Sequence, residues 1–175
     1  MRRYVPDASV AVKWYLASAS EPLLREADSV LRAYLAGEAE LIVPELFFAE
    51  FANVFWKAER QGRCDSHASC QALRSILEHG LESAPIVPLL PDAAGIARSY
   101  GCSVYDGLYL ALAVERSATL ITADRRLVVA VSPWLPAAWL GAFGGPAQGL
   151  PGRPWIQGRA GQYTQTPFSG AENGV

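Results

Sequence analysis

The chain has 175 residues, of which 51% are hydrophobic and 18% charged; this suits one domain with a sizeable core and excludes a wholly disordered chain. Fifteen Lys and Arg against 17 Asp and Glu leave a net charge of −2, which excludes nucleic-acid binding by bulk positive charge and requires any basic surface to be local. Three cysteines, Cys64, Cys70 and Cys102, form no CxxC pair, so the composition points to a reducing, cytoplasmic setting without structural zinc.

Taken in chain order, residues 3–5 form a short apolar strand that ends at Pro6-Asp7. Ser9 is expected to cap a helix through Val10, Trp14 and Tyr15. Ser20, Glu21 and Pro22 open a second helix, with Leu24, Ala27, Leu31, Tyr34 and Leu35 at helical spacing, and Gly37 ends it. Residues 41–43 are a compact strand before Pro44, and residues 45–61 a helix with Phe47, Phe51 and Phe55 on its apolar faces. Asp65 or Ser66 caps the next helix, which runs to about His79. Residues 86–89 are the next strand candidate, Asp92 opens a helix to Tyr100, and residues 104–115 form a helix apolar on most sides. Residues 119–122 are a strand, with another helix from Ala123 onward. Strands separated by helices imply an α/β fold with a parallel sheet covered on its faces.

Two stretches imitate membrane signals. Arg2 and Arg3 resemble a leader start, but Asp7 and Lys13 interrupt the apolar run. Residues 127–143 carry no charge, yet Pro133 and Pro136 would break a spanning helix, so no membrane contact is expected. Beyond residue 143 the composition shifts: 8 of the 32 residues 144–175 are Gly and 4 are Pro. The sequence therefore reads as one domain over 1–143 and a Gly/Pro-rich, disordered tail over 144–175.

In parallel α/β sheets, sites form beyond the carboxyl ends of the strands. Asp7 follows the first strand directly and Asp124 follows the last by two residues, so both belong to one sheet edge. Glu50 lies early in the helix after Pro44, and Asp106 at the start of the apolar helix. Taken singly, Asp7 reads as a helix cap, and the other carboxylates need partners in apolar surroundings. Together, four carboxylates without matching cations would repel one another, a conflict that a divalent ion removes. With no His or Cys among them, the ligands are all oxygen, which suits Mg2+ or Mn2+, and the matching chemistry is phosphodiester hydrolysis by a metal-activated water.

Four segments occur in order: Val5-Pro6-Asp7-Ala8-Ser9-Val10, Pro44-Glu45-Leu46 through Glu50-Phe51-Ala52-Asn53-Val54, Tyr105-Asp106-Gly107-Leu108-Tyr109, and Leu120-Ile121-Thr122-Ala123-Asp124-Arg125-Arg126. Over about residues 3–130 the chain resembles the PIN domain and, in size, the VapC-type ribonuclease toxins of bacterial toxin–antitoxin pairs. The resemblance implies a three-layer α/β/α sandwich and a Mg2+- or Mn2+-dependent endoribonuclease. Asp7, Glu50, Asp106 and Asp124 would be its catalytic acids, with Asp7, Asp106 and Asp124 on the metal. Thr122 would orient the last acid or a water. Asn53, one turn after Glu50, would support the site from the same helix face. A cognate antitoxin protein, laid over an exposed groove of some of the aromatics from Trp14 to Trp56, and a homodimer are implied in the same way. Gly107 departs from the family pattern, where Ala is more frequent; it either loosens the Asp106 turn or admits closer packing.

RNA must still reach an acidic site. Lys13, Arg125 and Arg126 flank the acids, and Lys57, Arg60 and Arg63 cluster after the Glu50 helix; these are the candidates for phosphate contacts. His67 and His79 read as surface or capping residues. Within the family, an RNA-processing or structure-specific nuclease is the alternative, as is a catalytically inactive PIN-fold binding module. A phospho-acceptor receiver is set aside for two reasons: no Asp follows residues 41–43, read as the central strand, and no Lys follows Lys57.

Overall fold

Tyr4-Val5, Leu41-Ile42-Val43 and Leu120-Ile121 are near-continuous apolar runs, the pattern of strands covered on both faces. In the computed structural model, which describes residues 1–16 and 21–143, they pair side by side. Five parallel strands, β1 (Arg2–Pro6), β2 (Ala39–Pro44), β3 (Glu82–Ala84), β4 (Thr119–Thr122) and β5 (Ala137–Trp139), form one sheet in the order β3-β2-β1-β4-β5. Tyr4 stands beside Leu41, and Val5 beside Leu120. The order turns at β1, with β2 on one side and β4 on the other, so the crevice favoured for ligands opens where β1 and β4 end. The α/β sandwich with a parallel sheet is thus the observed fold.

Seven helices lie among the described residues: α1 (Ala8–Ala11), α2 (Leu24–Leu35), α3 (Leu46–Arg60), α4 (Ser66–Glu78), α5 (Leu90–Tyr100), α6 (Val104–Glu115) and α7 (Arg125–Val131). α6 touches β1, β2 and β4, and α5 packs along α6. This explains a helix apolar on all sides: every residue from Gly107 to Ala113 is buried. Gly107 settles the question its sequence raised. A Cβ there would lie 2.4 Å from the Ala93 carbonyl oxygen, so glycine permits the close approach of α5 and α6. The α6 C-terminus closes in a Schellman turn: Ala118 N–H donates to Ala113 O and Ser117 N–H to Val114 O, with Ser117 at φ 50°.

Several expectations change. Asp7, not Ser9, caps α1, because the helix already begins at Ala8. α1 is one turn long, followed by a 3-10 turn over Val12–Trp14. Residues 86–89 are not a strand; β3 comes earlier, at Glu82–Ala84, and Val87–Leu89 form a 3-10 turn led by Pro88. The apolar stretch 127–143 resolves into α7, β5 and a final 3-10 turn, with β5 unforeseen. Among the described residues no helix is long and apolar enough to cross a membrane. The central strand is β1 rather than β2, and it is followed by Asp7; the missing Asp is therefore no argument against a receiver, and the absence of a Lys after Lys57 is what remains. α2 starts at Leu24. Ser20 and the tail over 144–175 lie outside the described residues.

Candidate active site

The site grows from the carboxyl ends of β1 and β4. The Asp7 N–H donates to Ile121 O at 3.0 Å, extending the β1–β4 ladder by one rung. Beyond that rung the chain turns into α1, and the Asp7 carboxylate accepts from Val10 N–H at 3.2 Å and from the Ser9 hydroxyl. Ser9 Oγ in turn accepts from Ala123 N–H at 3.1 Å, which ties the β4–α7 turn to Asp7. Thr122, fully buried, accepts from Asp124 N–H through Oγ1 at 2.9 Å, and its hydroxyl bonds the Asp7 carboxylate. Burial pushes the Asp7 carboxyl up to about 6, against the bonds from Ser9, Thr122 and the Val10 amide that pull it down.

Glu50 projects from the second turn of α3 into the same space. Its Oε2 accepts from the Tyr109 hydroxyl at 2.5 Å. Burial raises the Glu50 pKa and the nearby Asp106 charge adds to the rise, while the Tyr109 bond opposes both. The buried Tyr109 phenol is held far above its ordinary range by burial and by the Glu50 carboxylate. Asp106 is the third residue of α6 and forms a capping box with Ser103: its Oδ2 accepts from Ser103 N–H at 3.1 Å and Oγ at 2.7 Å, and Ser103 Oγ accepts from Asp106 N–H. The box fixes the carboxylate where the helix amides favour an anion.

Asp7, Glu50 and Asp106 line one pocket of about 240 Å³, together with Asn53 and Tyr109. No Lys or Arg is in its wall. Asp124 is not in that wall either. It is exposed at the start of α7, where Oδ1 accepts from Arg126 and Leu127 N–H at 2.8 and 3.1 Å. Three of the four acids therefore share the pocket, and the fourth lies outside its wall, just past the end of β4 on the same sheet edge. Among the described residues, no three His, Cys, Asp or Glu side chains converge closely enough to hold a metal ion. The donor chemistry suits a hard cation: the three pocket carboxylates offer anionic oxygens unmatched by a positive side chain.

The basic candidates are placed differently from expectation. Lys13 is buried and paired with Glu21. The Arg125 guanidinium lies 5.2 Å from the centre of the Trp139 ring, and Arg126 is exposed at the start of α7. Arg60 stacks on Trp56 in the same manner. Phe47, Phe51 and Phe55 are at most 1% exposed and pack in the core, so they form no groove; of the aromatics named, only Trp56 is exposed. His79 caps the end of α4 and packs its ring edge-on against Trp14. Two site residues escaped the sequence reading of roles. Tyr109 lies one turn after Asp106 and so on its face of α6, a spacing that could have revealed it. Ser9, two residues after Asp7, reads as a cap until β4 is placed beside it.

Comparison with known proteins places the fold. The PIN domain family profile matches residues 4–131. Ribonuclease VapC3 of Pyrobaculum aerophilum is 33% identical over 90 residues, spanning 50% of this chain and 69% of the relative. A crystal structure of a Pyrobaculum aerophilum protein superposes with a TM-score of 0.60 at 25% identity, covering 81% of this chain and 85% of the other. A toxin–antitoxin complex from Klebsiella pneumoniae superposes with a TM-score of 0.56 at 16% identity, over 77% and 95% of the two chains. VapBC2 of Rickettsia felis, bound to a DNA fragment from its promoter, gives 0.55 at 14% identity, over 78% and 98%. The family profile spans most of the chain and the solved neighbours share its fold: the chain belongs to the PIN domain family.

Proposed function

We propose that this protein is a divalent-metal-dependent endoribonuclease, the toxin of a toxin–antitoxin pair. The observation that carries the proposal is the pocket at the β1–β4 crevice, which carboxylates from three separate elements line with no cation in its wall. The similarity to ribonuclease VapC3 supports RNA as substrate. The two toxin–antitoxin structures share the fold, which agrees with a protein partner of the antitoxin kind. A second copy of the chain is the other partner this reading calls for.

Asp7 and Asp106 in the pocket, joined by Asp124 from the end of β4 once its carboxylate turns inward, would hold Mg2+ or Mn2+, which when bound acidifies a water and offsets the charge of the scissile phosphate. Ser9, Thr122 and the Val10 amide hold the Asp7 carboxylate, and Ser103 holds that of Asp106. Glu50 gives Oε2 to Tyr109, which leaves Oε1 to take a proton from the attacking water. Asn53, at the pocket rim, offers an amide to a phosphate oxygen or a ribose hydroxyl. Arg125 and Arg126, which follow Asp124 at the start of α7, would meet the RNA backbone there.

The test is cleavage of labelled structured RNAs in EDTA, Mg2+ and Mn2+, comparing the wild type with an Asp7→Asn, Asp106→Asn double variant. Discrete cuts that need metal and disappear in the variant are expected. Cuts that persist in EDTA or in the double variant would refute the mechanism.

A further inference from the structure

An RNA strand carries one negative charge per nucleotide, and the carboxylate pocket has no cation in its wall to receive it. The cations lie next door. A second pocket of about 220 Å³ shares Ser9 and Val54 with the first, so the two are contiguous. Its charged residues are Lys13, Glu21 and Arg63. Lys13 Nζ pairs with Glu21 Oε1 at 2.5 Å, and Arg63 Nη2 reaches Glu21 Oε2 at 3.4 Å. The Lys13 side chain is only 7% exposed, so its ammonium is aimed into the pocket rather than into solvent. Two cations thus converge on the two oxygens of one carboxylate, with one positive charge in excess. A phosphodiester presents the same pair of anionic oxygens. Glu21 lies in the irregular stretch before α2, so its carboxylate can move without breaking a helix or strand.

We propose that the Lys13–Glu21–Arg63 pocket is a phosphate subsite for the RNA backbone beside the scissile bond, and that Glu21 occupies it as an internal anion until substrate displaces it. The proposal rests on the ribonuclease reading above. It explains how an acidic protein receives RNA beside an acidic site: the strand exchanges with a resident carboxylate instead of landing on an open basic surface.

Binding of a fluorescein-labelled single-stranded oligoribonucleotide, followed by anisotropy in EDTA over a range of salt, tests it. Glu21→Gln should tighten binding several-fold and steepen the log–log salt slope by about 0.7, the value for one phosphate contact on a single strand. Arg63→Ala should weaken binding and flatten the slope by about the same amount. In the cleavage assay Arg63→Ala should raise KM more than it lowers kcat. An ion pair with a purely structural role gives the opposite pattern: Glu21→Gln weakens binding or leaves it unchanged, and the slope stays constant. That result overturns the subsite. So does a Glu21→Gln protein from which inorganic phosphate is harder to displace but whose affinity for RNA is unaltered, which would mark a site for free phosphate. Wild-type cleavage in Mg2+ or Mn2+ separates the two readings. Cleavage with unaltered binding in both variants overturns the subsite alone, and no cleavage by the wild type in either metal overturns both.

Discussion

Replacing Asp7 with Asn should make the protein more stable at neutral pH while removing its activity. In the folded chain the Asp7 carboxyl is pushed from 3.8 up to about 6, chiefly by burial. That rise corresponds to about 3 kcal/mol disfavouring the charged form, at 1.36 kcal/mol per pKa unit. Because the folded pKa lies above the unfolded one, the folded state binds the Asp7 proton more tightly. Its stability is fully present below about pH 4 and falls as the pH rises through 6. At pH 7 the wild type carries the whole cost, whereas Asn carries none and still accepts from Ser9 and Val10 through its carbonyl oxygen. For a protein of this size the difference amounts to a Tm rise on the order of 10 °C. Urea or thermal denaturation in EDTA at pH 4 to 7 measures it: the variant and the wild type should converge near pH 4 and diverge towards pH 7. Saturating Mg2+ should then stabilise the wild type, by about 2.7 kcal/mol at a hundred times its Kd, and leave the variant unmoved. A stability difference constant across that pH range, or a variant less stable at pH 7, would refute the argument that a buried, charged Asp7 is stored at a cost for function.

Three further outcomes follow from particular contacts. Tyr109→Phe removes the bond that lowers the Glu50 pKa, so the acidic limb of the kcat profile should move to higher pH and kcat should fall about tenfold; an unmoved limb would mean that Glu50 takes no part in proton transfer. Gly107→Ala drives a methyl group into the Ala93 carbonyl, and urea denaturation should show a loss of about 1–3 kcal/mol, with reduced cleavage because Asp106 is the adjacent residue. Ser117→Gly relieves a left-handed, exposed residue in the Schellman turn after α6 and should raise stability by about 0.5–1 kcal/mol without touching activity.

Local rules made much of the chain legible. Apolar runs of three to five residues and helix-opening residues such as Asp65 and Asp92 are written in neighbouring positions, so strands at β1, β2 and β4 and helices α3 to α7 could be read within a few residues. The strands that escaped, β3 and β5, are three residues each: β3 carries no apolar run, and β5 is hidden within the longer apolar stretch 127–143; they exist because β2 and β4 supply an edge to pair with. The site was legible in its acids for a related reason. Carboxylates at strand ends and inside apolar helices stand out as costly unless they have a purpose.

What those acids do depends on distances that no spacing along the chain encodes. The sequence determined that Asp7 and Asp124 belong to one sheet edge, because helical crossovers keep the strands parallel and so bring their carboxyl ends to the same edge. Only the tertiary structure decided that Glu50 and Asp106 share a pocket with Asp7 while Asp124 stays outside its wall, and that Tyr109 holds Glu50. It also decided that Lys13 points into the protein against Glu21 instead of into solvent, since Glu21 and Arg63 reach it from segments 8 and 50 residues away. Helix and strand are set by contacts within a few residues, but the charge that a side chain meets is set by whichever distant segment packs beside it.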